Sequence, residues 1–124
     1  MKKTEHSLHL LAASLVALAS HAAHAQDVSA GKAVFAQCAA CHSIDGTNGA
    51  GPSLKGIAGT KSGEVPGFRF SRAMKSAGTV WDAKTLDAYI ANPQTAMPGN
   101  VMPFSGIQDA KQRADLVAYL LTLK

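Results

Sequence analysis

Apolar side chains recur at helical spacing in a few short stretches of this chain, separated by turn-forming residues. The strongest stretch is C-terminal, and its apolar stripe consists of Leu116, Tyr119, Leu120 and Leu123. Asp109 precedes this stripe, and Gln112 lies three positions further on, which resembles a capping box. The pattern therefore predicts a final helix that begins after Asp109 and packs on one face.

A second amphipathic stretch lies in the middle of the chain. Leu86, Tyr89 and Ile90 fall at positions i, i+3 and i+4 after Asp82, which can cap a helix. Pro93 disfavours helical backbone at the residue before it, so this helix is expected to end there.

Two weaker patterns predict two shorter helices. Asp27 or Ser29 can cap the first, whose apolar members are Val34 and Phe35. Ser71 can cap the second, over residues 71–77, with a glycine directly after it as the stop signal.

The remaining segments show neither helical nor strand periodicity. Residues 43–70 contain seven glycines and two prolines, and residues 94–107 are predicted to be loop as well. A 28-residue loop is unusual inside a compact domain unless it wraps around something that is not polypeptide. The pattern thus predicts an all-α domain of short helices and long loops, with a bound cofactor.

The N-terminus has the features of a secretory signal peptide. Lys2 and Lys3 precede a 12-residue apolar run, and Ala23 and Ala25 form a small-x-small cleavage site. The run is shorter than the roughly 20 residues that a membrane-spanning helix needs. We expect residues 1–25 to be the signal peptide and residues 26–124 to be one domain.

Without the leader, the composition becomes more informative. Residues 26–124 contain 26 large apolar side chains, which is a thin core for a chain rich in loops. Their net charge of +3 is too weak to indicate nucleic-acid binding. Of the five histidines in the chain, His42 alone lies in this part.

Cys38, Cys41 and His42 form the pattern of covalent haem attachment. The two thiols, three positions apart, add to the haem vinyl groups, and the histidine that follows binds the iron. A disulfide or a thioredoxin-like redox pair also uses two cysteines at this spacing. Neither alternative uses the histidine, and the βαβ pattern of thioredoxins is not found in this sequence.

A six-coordinate haem iron needs a second axial ligand. With no other histidine in residues 26–124, the candidates are Met74, Met97 and Met102. Neutral thioether sulfur suits ferrous iron and raises the reduction potential relative to a second imidazole. Met74 falls within a predicted helix, where it would pack, whereas Met97 and Met102 lie in a loop rich in glycine and proline.

Over residues 27–124 the chain resembles the class I c-type cytochromes, close to the mitochondrial cytochromes c and the bacterial cytochromes c2. The resemblance is carried by separated motifs: Gly31 and Phe35 before CAACH, GPSLKGIAG, VPGFRF, Trp81, YIANP, PGNVMPF and Leu116 to Leu120. It implies the all-α class I cytochrome c fold, with short helices and Gly/Pro-rich loops wrapped around one covalent haem c.

The resemblance also implies roles for single residues. It makes Met102 the second axial ligand and leaves Met97 at the rim or in the core. Pro52 then accepts a hydrogen bond from His42 through its carbonyl, and Tyr89 donates one near the methionine sulfur. The indole of Trp81 meets a haem propionate, and Phe104 shields the haem edge. The family contact between the first and last helices corresponds to Gly31, Phe35, Leu116 and Tyr119.

Some positions depart from the family pattern. Thr60 stands where the family often has a propionate-binding arginine, Phe70 where it has a tyrosine, and Met74 where it has an asparagine. The lysines that surround the haem edge in the family are largely replaced, by Ala33, Gln94, Thr95, Val101, Gln108 and Asp109. We therefore expect a docking face with few charges.

The resemblance implies a periplasmic electron carrier, not an enzyme, that shuttles single electrons between respiratory redox proteins. Such a carrier docks transiently at the haem edge. It is expected to be monomeric and to have neither nucleic-acid binding nor stable membrane insertion. Two rival functions are a haem enzyme or gas sensor in which Met102 is a weak ligand, and a thiol oxidoreductase built on Cys38 and Cys41.

Overall fold

The computed structural model describes residues 25–124, so almost all of the predicted signal peptide, residues 1–24, lies outside the described residues. The helices of the described part are α1 (Val28–Val34), α2 (Arg72–Ser76), α3 (Ala83–Ala91), α4 (Pro93–Ala96) and α5 (Ala110–Leu120), with a 3-10 turn at Phe35–Gln37. The prediction of an all-α domain of short helices is confirmed.

The helices begin where the sequence offers capping side chains. Of the two candidates for α1, Asp27 is the cap and accepts a hydrogen bond from the Ala30 N–H at 3.0 Å. Ser71 caps α2, and Asp82 caps α3 in a reciprocal capping box with Thr85. Each cap satisfies a backbone N–H that has no partner within its helix.

The chain between α3 and the Met102 region departs from the prediction. Residues 94–107 were expected to be loop throughout, but α4 begins at Pro93. Asn92 is extended, caps the new helix through the Thr95 N–H, and leaves proline at the first helical position. Proline lacks an N–H and has a fixed φ, so it suits that position. The same residue therefore ends one helix and starts the next.

The final helix is confirmed, but the predicted capping box is only half formed. Asp109 accepts a hydrogen bond from the Gln112 N–H at 2.8 Å. No bond from the Gln112 side chain back to Asp109 is formed in this part of the structure. The box needs both bonds, so Asp109 acts here as a simple N-cap.

Long connections without helices occupy much of the remaining chain. Residues 43–70 contain no helix, as predicted, and the sheet-like pairing in the described part is an isolated bridge between Lys61 and Val80. These connections surround the cavity described below.

Helices α1 and α5 cross at close range because Gly31 has no side chain. A Cβ built at Gly31 would overlap the Asp115 carbonyl oxygen and lie 2.9 Å from the Tyr119 Cβ. The rings of Phe35 and Tyr119 pack beside this crossing with centroids 5.5 Å apart. Leu116, 1% exposed, is among the most buried side chains of the core.

A buried carboxylate also joins the two helices. Asp115 accepts hydrogen bonds from the Lys111 ammonium at 2.6 Å and from the Asp27 N–H at 2.8 Å. Lys111, together with that N–H, lowers the pKa of Asp115. The carboxylate therefore ties the start of α1 to α5 in its ionised form.

Replacing Gly31 by alanine tests the helix crossing. In an unobstructed helix this change stabilises a protein by about 1 kcal/mol. Here the new methyl group meets backbone that cannot move aside, so we expect a net loss of about 1–3 kcal/mol. Guanidinium unfolding of the haem-loaded protein measures the loss, and Ser29→Ala on the exposed part of α1 is the matched control. A stabilised Gly31→Ala variant would contradict this crossing.

Candidate functional site

A cavity of about 320 Å³ opens between the helices and the long loops. Its wall is built almost entirely of apolar side chains, contributed by every long loop and by α2, α3 and α5. All the site residues predicted from the sequence lie in this wall: Cys38, Cys41, His42, Pro52, Trp81, Tyr89, Met102 and Phe104.

The two cysteines and His42 lie on a single turn of helix-like backbone. The N–H groups of Cys41 and His42 both donate to the Cys38 carbonyl, at 3.1 and 2.9 Å. The cysteine sulfurs form no disulfide with each other. The turn follows directly from the 3-10 segment after α1, so the first helix sets the position of all three side chains.

The protonation of Cys38 does not suit a redox dithiol. Burial raises the pKa of the Cys38 thiol, and the neighbouring Cys41 adds to the rise. Catalytic thiols of disulfide exchange are activated by a lowered pKa. The pKa shift of Cys38 is thus opposite in direction to the one that activates a thiol.

A single hydrogen bond determines the tautomer of the neutral His42 ring. Its Nδ1 lies 2.7 Å from the Pro52 carbonyl oxygen, which can only accept, so Nδ1 carries the proton. The other ring nitrogen, Nε2, is then the one with a free lone pair for a metal ion. Such a bond also makes the imidazole a stronger donor.

Gly51 allows the loop to approach His42 closely enough for this bond. A Cβ at Gly51 would lie 2.6 Å from the His42 Cε1 and 2.8 Å from its Nδ1, too close for any side chain. The Gly51 N–H also donates to the Cys41 carbonyl at 2.8 Å, which ties the loop to the cysteine turn.

Polar side chains that the sequence analysis missed hold this loop in shape. Asn48 accepts from the Ser53 N–H at 3.0 Å and donates to the Pro66 carbonyl at 2.9 Å. The Ser53 hydroxyl accepts from the Gly46 N–H at 3.0 Å. Asparagine and serine that bond nearby backbone are common in tight loops, but which backbone groups they meet depends on the tertiary structure.

Asn100 plays a similar part beside Met102 and was also missed. Its side-chain N–H groups donate to the carbonyls of Pro93 and Met97, both at 2.8 Å. Its side-chain oxygen accepts from the Met102 N–H at 3.0 Å. The signal in the sequence was an asparagine two residues before the methionine, a spacing at which Asx side chains bond backbone N–H groups.

Tyr89 lies between the asparagine and the methionine. Its hydroxyl is 3.3 Å from the Asn100 side-chain oxygen and 3.9 Å from the Met102 sulfur, and its single proton serves one of them at a time. Burial raises the pKa of Tyr89 from 10.0 to about 12, so the hydroxyl stays a donor at neutral pH.

The three methionines lie in different surroundings. Met97 is 5% exposed, packs in the core and does not line the cavity. Met74, on α2, and Met102 both line it. Of these three methionines, Met102 is the one whose sulfur accepts a hydrogen bond within the described part, from the Tyr89 hydroxyl.

Trp81 and Phe104 complete the wall. The Trp81 ring packs edge-on against Tyr89 with centroids 5.2 Å apart, and its indole N–H donates to no described residue. Phe104 is half-buried at the cavity, near the more exposed Val101.

Of the three single positions said above to depart from the family pattern, two line the cavity and one lies on the surface. Phe70 and Met74 line the cavity and make its wall more apolar. Thr60 is exposed, and its hydroxyl donates to the Ile57 carbonyl at 2.7 Å.

Comparison with known proteins matches the cytochrome c family model over residues 28–124. The chain belongs to the cytochrome c family. It is 43% identical to a cytochrome c2 of Rhodomicrobium vannielii over 91% of each chain. It is 51% identical to a cytochrome c of Trypanosoma brucei brucei over 64% of this chain and 85% of that one.

A solved cytochrome structure has the same fold. Cytochrome cH from Methylobacterium extorquens superposes with a TM-score of 0.75 at 45% identity, covering 77% of this chain and 98% of that one. The prediction of the class I cytochrome c fold is thereby confirmed.

The site of this cytochrome fits the family's covalent haem c. Two cysteines, an imidazole with its Nε2 lone pair available and a thioether sulfur share one apolar cavity. The Trp81 indole N–H, which has no partner among the described residues, offers a donor to the cofactor. The chain is thus a haem-containing electron carrier and not an enzyme. Within residues 25–124, no helix has the length and hydropathy needed to cross a membrane.

The buried hydroxyl of Tyr89 predicts an alkaline loss of stability. Because the folded-state pKa is about 12 and the unfolded value 10.0, the folded state retains a proton that the unfolded state releases over this range. Stability is therefore complete below pH 10 and declines as the pH rises through the folded pKa. Denaturant unfolding at several pH values should show the wild type losing stability relative to Tyr89→Phe in this window. Parallel pH profiles for the two proteins would contradict it.

Proposed function

We propose that residues 26–124 form a periplasmic one-electron carrier whose haem iron is bound by His42 and Met102. The observation that carries this proposal is the pairing in one apolar cavity of a histidine locked by Pro52 and a methionine sulfur approached by Tyr89. Two protein ligands close the iron to small molecules, which suits electron transfer and not chemistry on a substrate.

The residues of the chain supply binding, orientation and exclusion of water. The haem, when bound, supplies an iron that cycles between the ferric and ferrous states. Cys38 and Cys41 tether it through thioether bonds, and His42 donates its Nε2 lone pair. Tyr89 and Asn100 orient Met102 from behind, so the ligand does not have to reorganise when the charge on the iron changes.

The apolar wall has an electrostatic effect of its own. Phe68, Phe70 and Met74 line the cavity and keep water away from it. A site of low polarity disfavours the extra positive charge of ferric iron and thus raises the reduction potential. Methionine ligation acts in the same direction, since neutral sulfur prefers ferrous iron.

Partner docking at the cavity edge fits a surface with few charges. The residues that replace the family lysines are all exposed: Ala33, Gln94, Thr95, Val101, Gln108 and Asp109. Val101 is 76% exposed and lines the cavity mouth next to Met102. A redox protein that docks here meets an apolar surface, and the contact is transient, as befits a carrier.

The proposal that the protein is exported to the periplasm rests on its N-terminal sequence. Lys2, Lys3 and the short apolar run indicate a signal peptide over residues 1–25. Covalent haem attachment of this type takes place outside the bacterial cytoplasm, which agrees with export. The folded domain is proposed to work as a monomer.

Replacing Met102 by alanine tests the ligand assignment. We expect covalent haem to be retained, the long-wavelength absorption of methionine-bound ferric haem to vanish, and carbon monoxide to bind readily to the reduced protein. Met97→Ala and Met74→Ala are the matched controls and should keep the band. If Met102→Ala keeps the band and one of the controls loses it, the assignment is contradicted, and the methionine replaced in that control is the ligand. A wild-type protein that already lacks the band would instead favour the gas-sensor alternative.

The docking face can be tested by ionic strength. Few charges at the contact predict that the electron-transfer rate with respiratory membranes of the producing organism changes little with salt. Val101→Lys restores a cation at the cavity mouth and should make the dependence clearly steeper. A steep fall in the wild-type rate between about 0.01 M and 0.5 M salt, over which screening becomes strong, would contradict the proposed face.

A further inference from the structure

Lys61 is the one lysine, arginine, aspartate or glutamate among residues 25–124 that lines the cavity. The ion pairs formed in the described part join Lys111 to Asp115 and Arg113 to Asp87, so neither involves Lys61. No carboxylate of the described protein lines the cavity beside it. Lys61 is exposed, so its ammonium is solvated at the rim of the cavity. There it is available to an anionic group on what the cavity binds.

The backbone holds Lys61 next to Trp81. Residues 59–62 and 79–81 are joined by three backbone hydrogen bonds: Gly59 N–H to the Trp81 carbonyl at 2.8 Å, Trp81 N–H to the Thr60 carbonyl at 2.9 Å, and Ser62 N–H to the Thr79 carbonyl at 2.7 Å. Lys61 pairs with Val80 in the middle of this clamp. The clamp thus fixes the backbone of Lys61 and of Trp81, whose side chains leave opposite faces of the pairing, and both residues line the cavity.

The cofactor supplies the anionic group that these donors lack. Haem c has two propionate carboxylates, and placing a carboxylate against apolar protein is costly unless it is paired and hydrogen-bonded. The rest of the described cavity wall contains no lysine, arginine, aspartate or glutamate. We propose that Lys61 is the cationic partner of a haem propionate at the rim of the cavity. This inference rests on the proposed haem site.

The pairing has a consequence for the iron. A positive charge held at the haem edge disfavours the ferric state, in which the iron bears one more positive charge, and so raises the reduction potential. Lys61 is exposed in this structure, and the proposed pair would bring its ammonium into direct contact with the cofactor. A partly buried pair of that kind is screened by salt much less than a charge on the open surface. Salt therefore separates a propionate partner from a general surface charge.

The test compares Lys61→Gln with Lys55→Gln. Both lysines are exposed, but Lys55 does not line the cavity. Reduction potentials of the haem-loaded proteins are measured by spectroelectrochemistry at ionic strengths of about 0.01 M and 1 M, where the Debye length is roughly 30 Å and 3 Å. We expect Lys61→Gln to lower the potential at both ionic strengths. Lys55→Gln should have a smaller effect that disappears at high salt, and Lys61→Arg should stay near the wild-type potential.

The outcomes distinguish the inference from the proposed function. If Lys61→Gln and Lys55→Gln shift the potential alike at both ionic strengths, with the spectrum of methionine-bound haem intact, the Lys61 pairing is wrong and the carrier function stands. A higher reduction potential in Lys61→Gln than in the wild type would also overturn the Lys61 pairing and leave the carrier function standing. A wild-type protein without that spectrum would overturn the proposed haem ligation itself, and the Lys61 inference with it.

Discussion

The structure depends on a single constraint: a short chain with few large apolar side chains surrounds a cavity whose wall is itself apolar. An apolar wall facing water is unfavourable, so the fold is stable when a hydrophobic group occupies the interior. Covalent haem meets this need, because the Cys38 and Cys41 tethers make it a permanent part of the core. The long loops are then ordered by wrapping around a cofactor, which resolves the conflict between their length and a compact domain.

Hydrogen bonds fix the position of each proposed ligand side chain more precisely than contacts with an apolar wall can. On one side, Asn48 holds the loop whose Pro52 carbonyl fixes the proton of His42. On the other, Asn100 ties together α4 and the Met102 segment, with Tyr89 beside the sulfur. Asn48 accepts from the Ser53 N–H and Asn100 from the Met102 N–H, so removing either asparagine would leave that backbone N–H without its partner. The chemistry of the site is thus set by loops that side chains, and not regular backbone, keep in shape.

Much of this organisation could be predicted from local sequence signals. The caps Asp27, Ser71, Asp82 and Asp109 mark where helices start, because each cap acts within three residues of its own position. Two local details of the prediction were wrong, α4 and the capping box at Asp109. The α4 helix is a single turn with no apolar repeat to reveal it, and the box at Asp109 needs a side-chain orientation that spacing alone does not determine. Asn48, Asn100 and Lys61 went unrecognised because only the folded chain determines which backbone groups the asparagines bond and which side chains line the cavity.

The central claim is that a tethered haem forms the interior of this domain. Size-exclusion chromatography of the purified protein, with the visible absorbance of the eluate recorded, tests it most directly. The account predicts that the fraction with the compact hydrodynamic radius of a domain of this size also has the visible absorption of haem. A compact fraction without that absorption would show that the polypeptide folds around its own side chains, and the carrier function would fall with the claim.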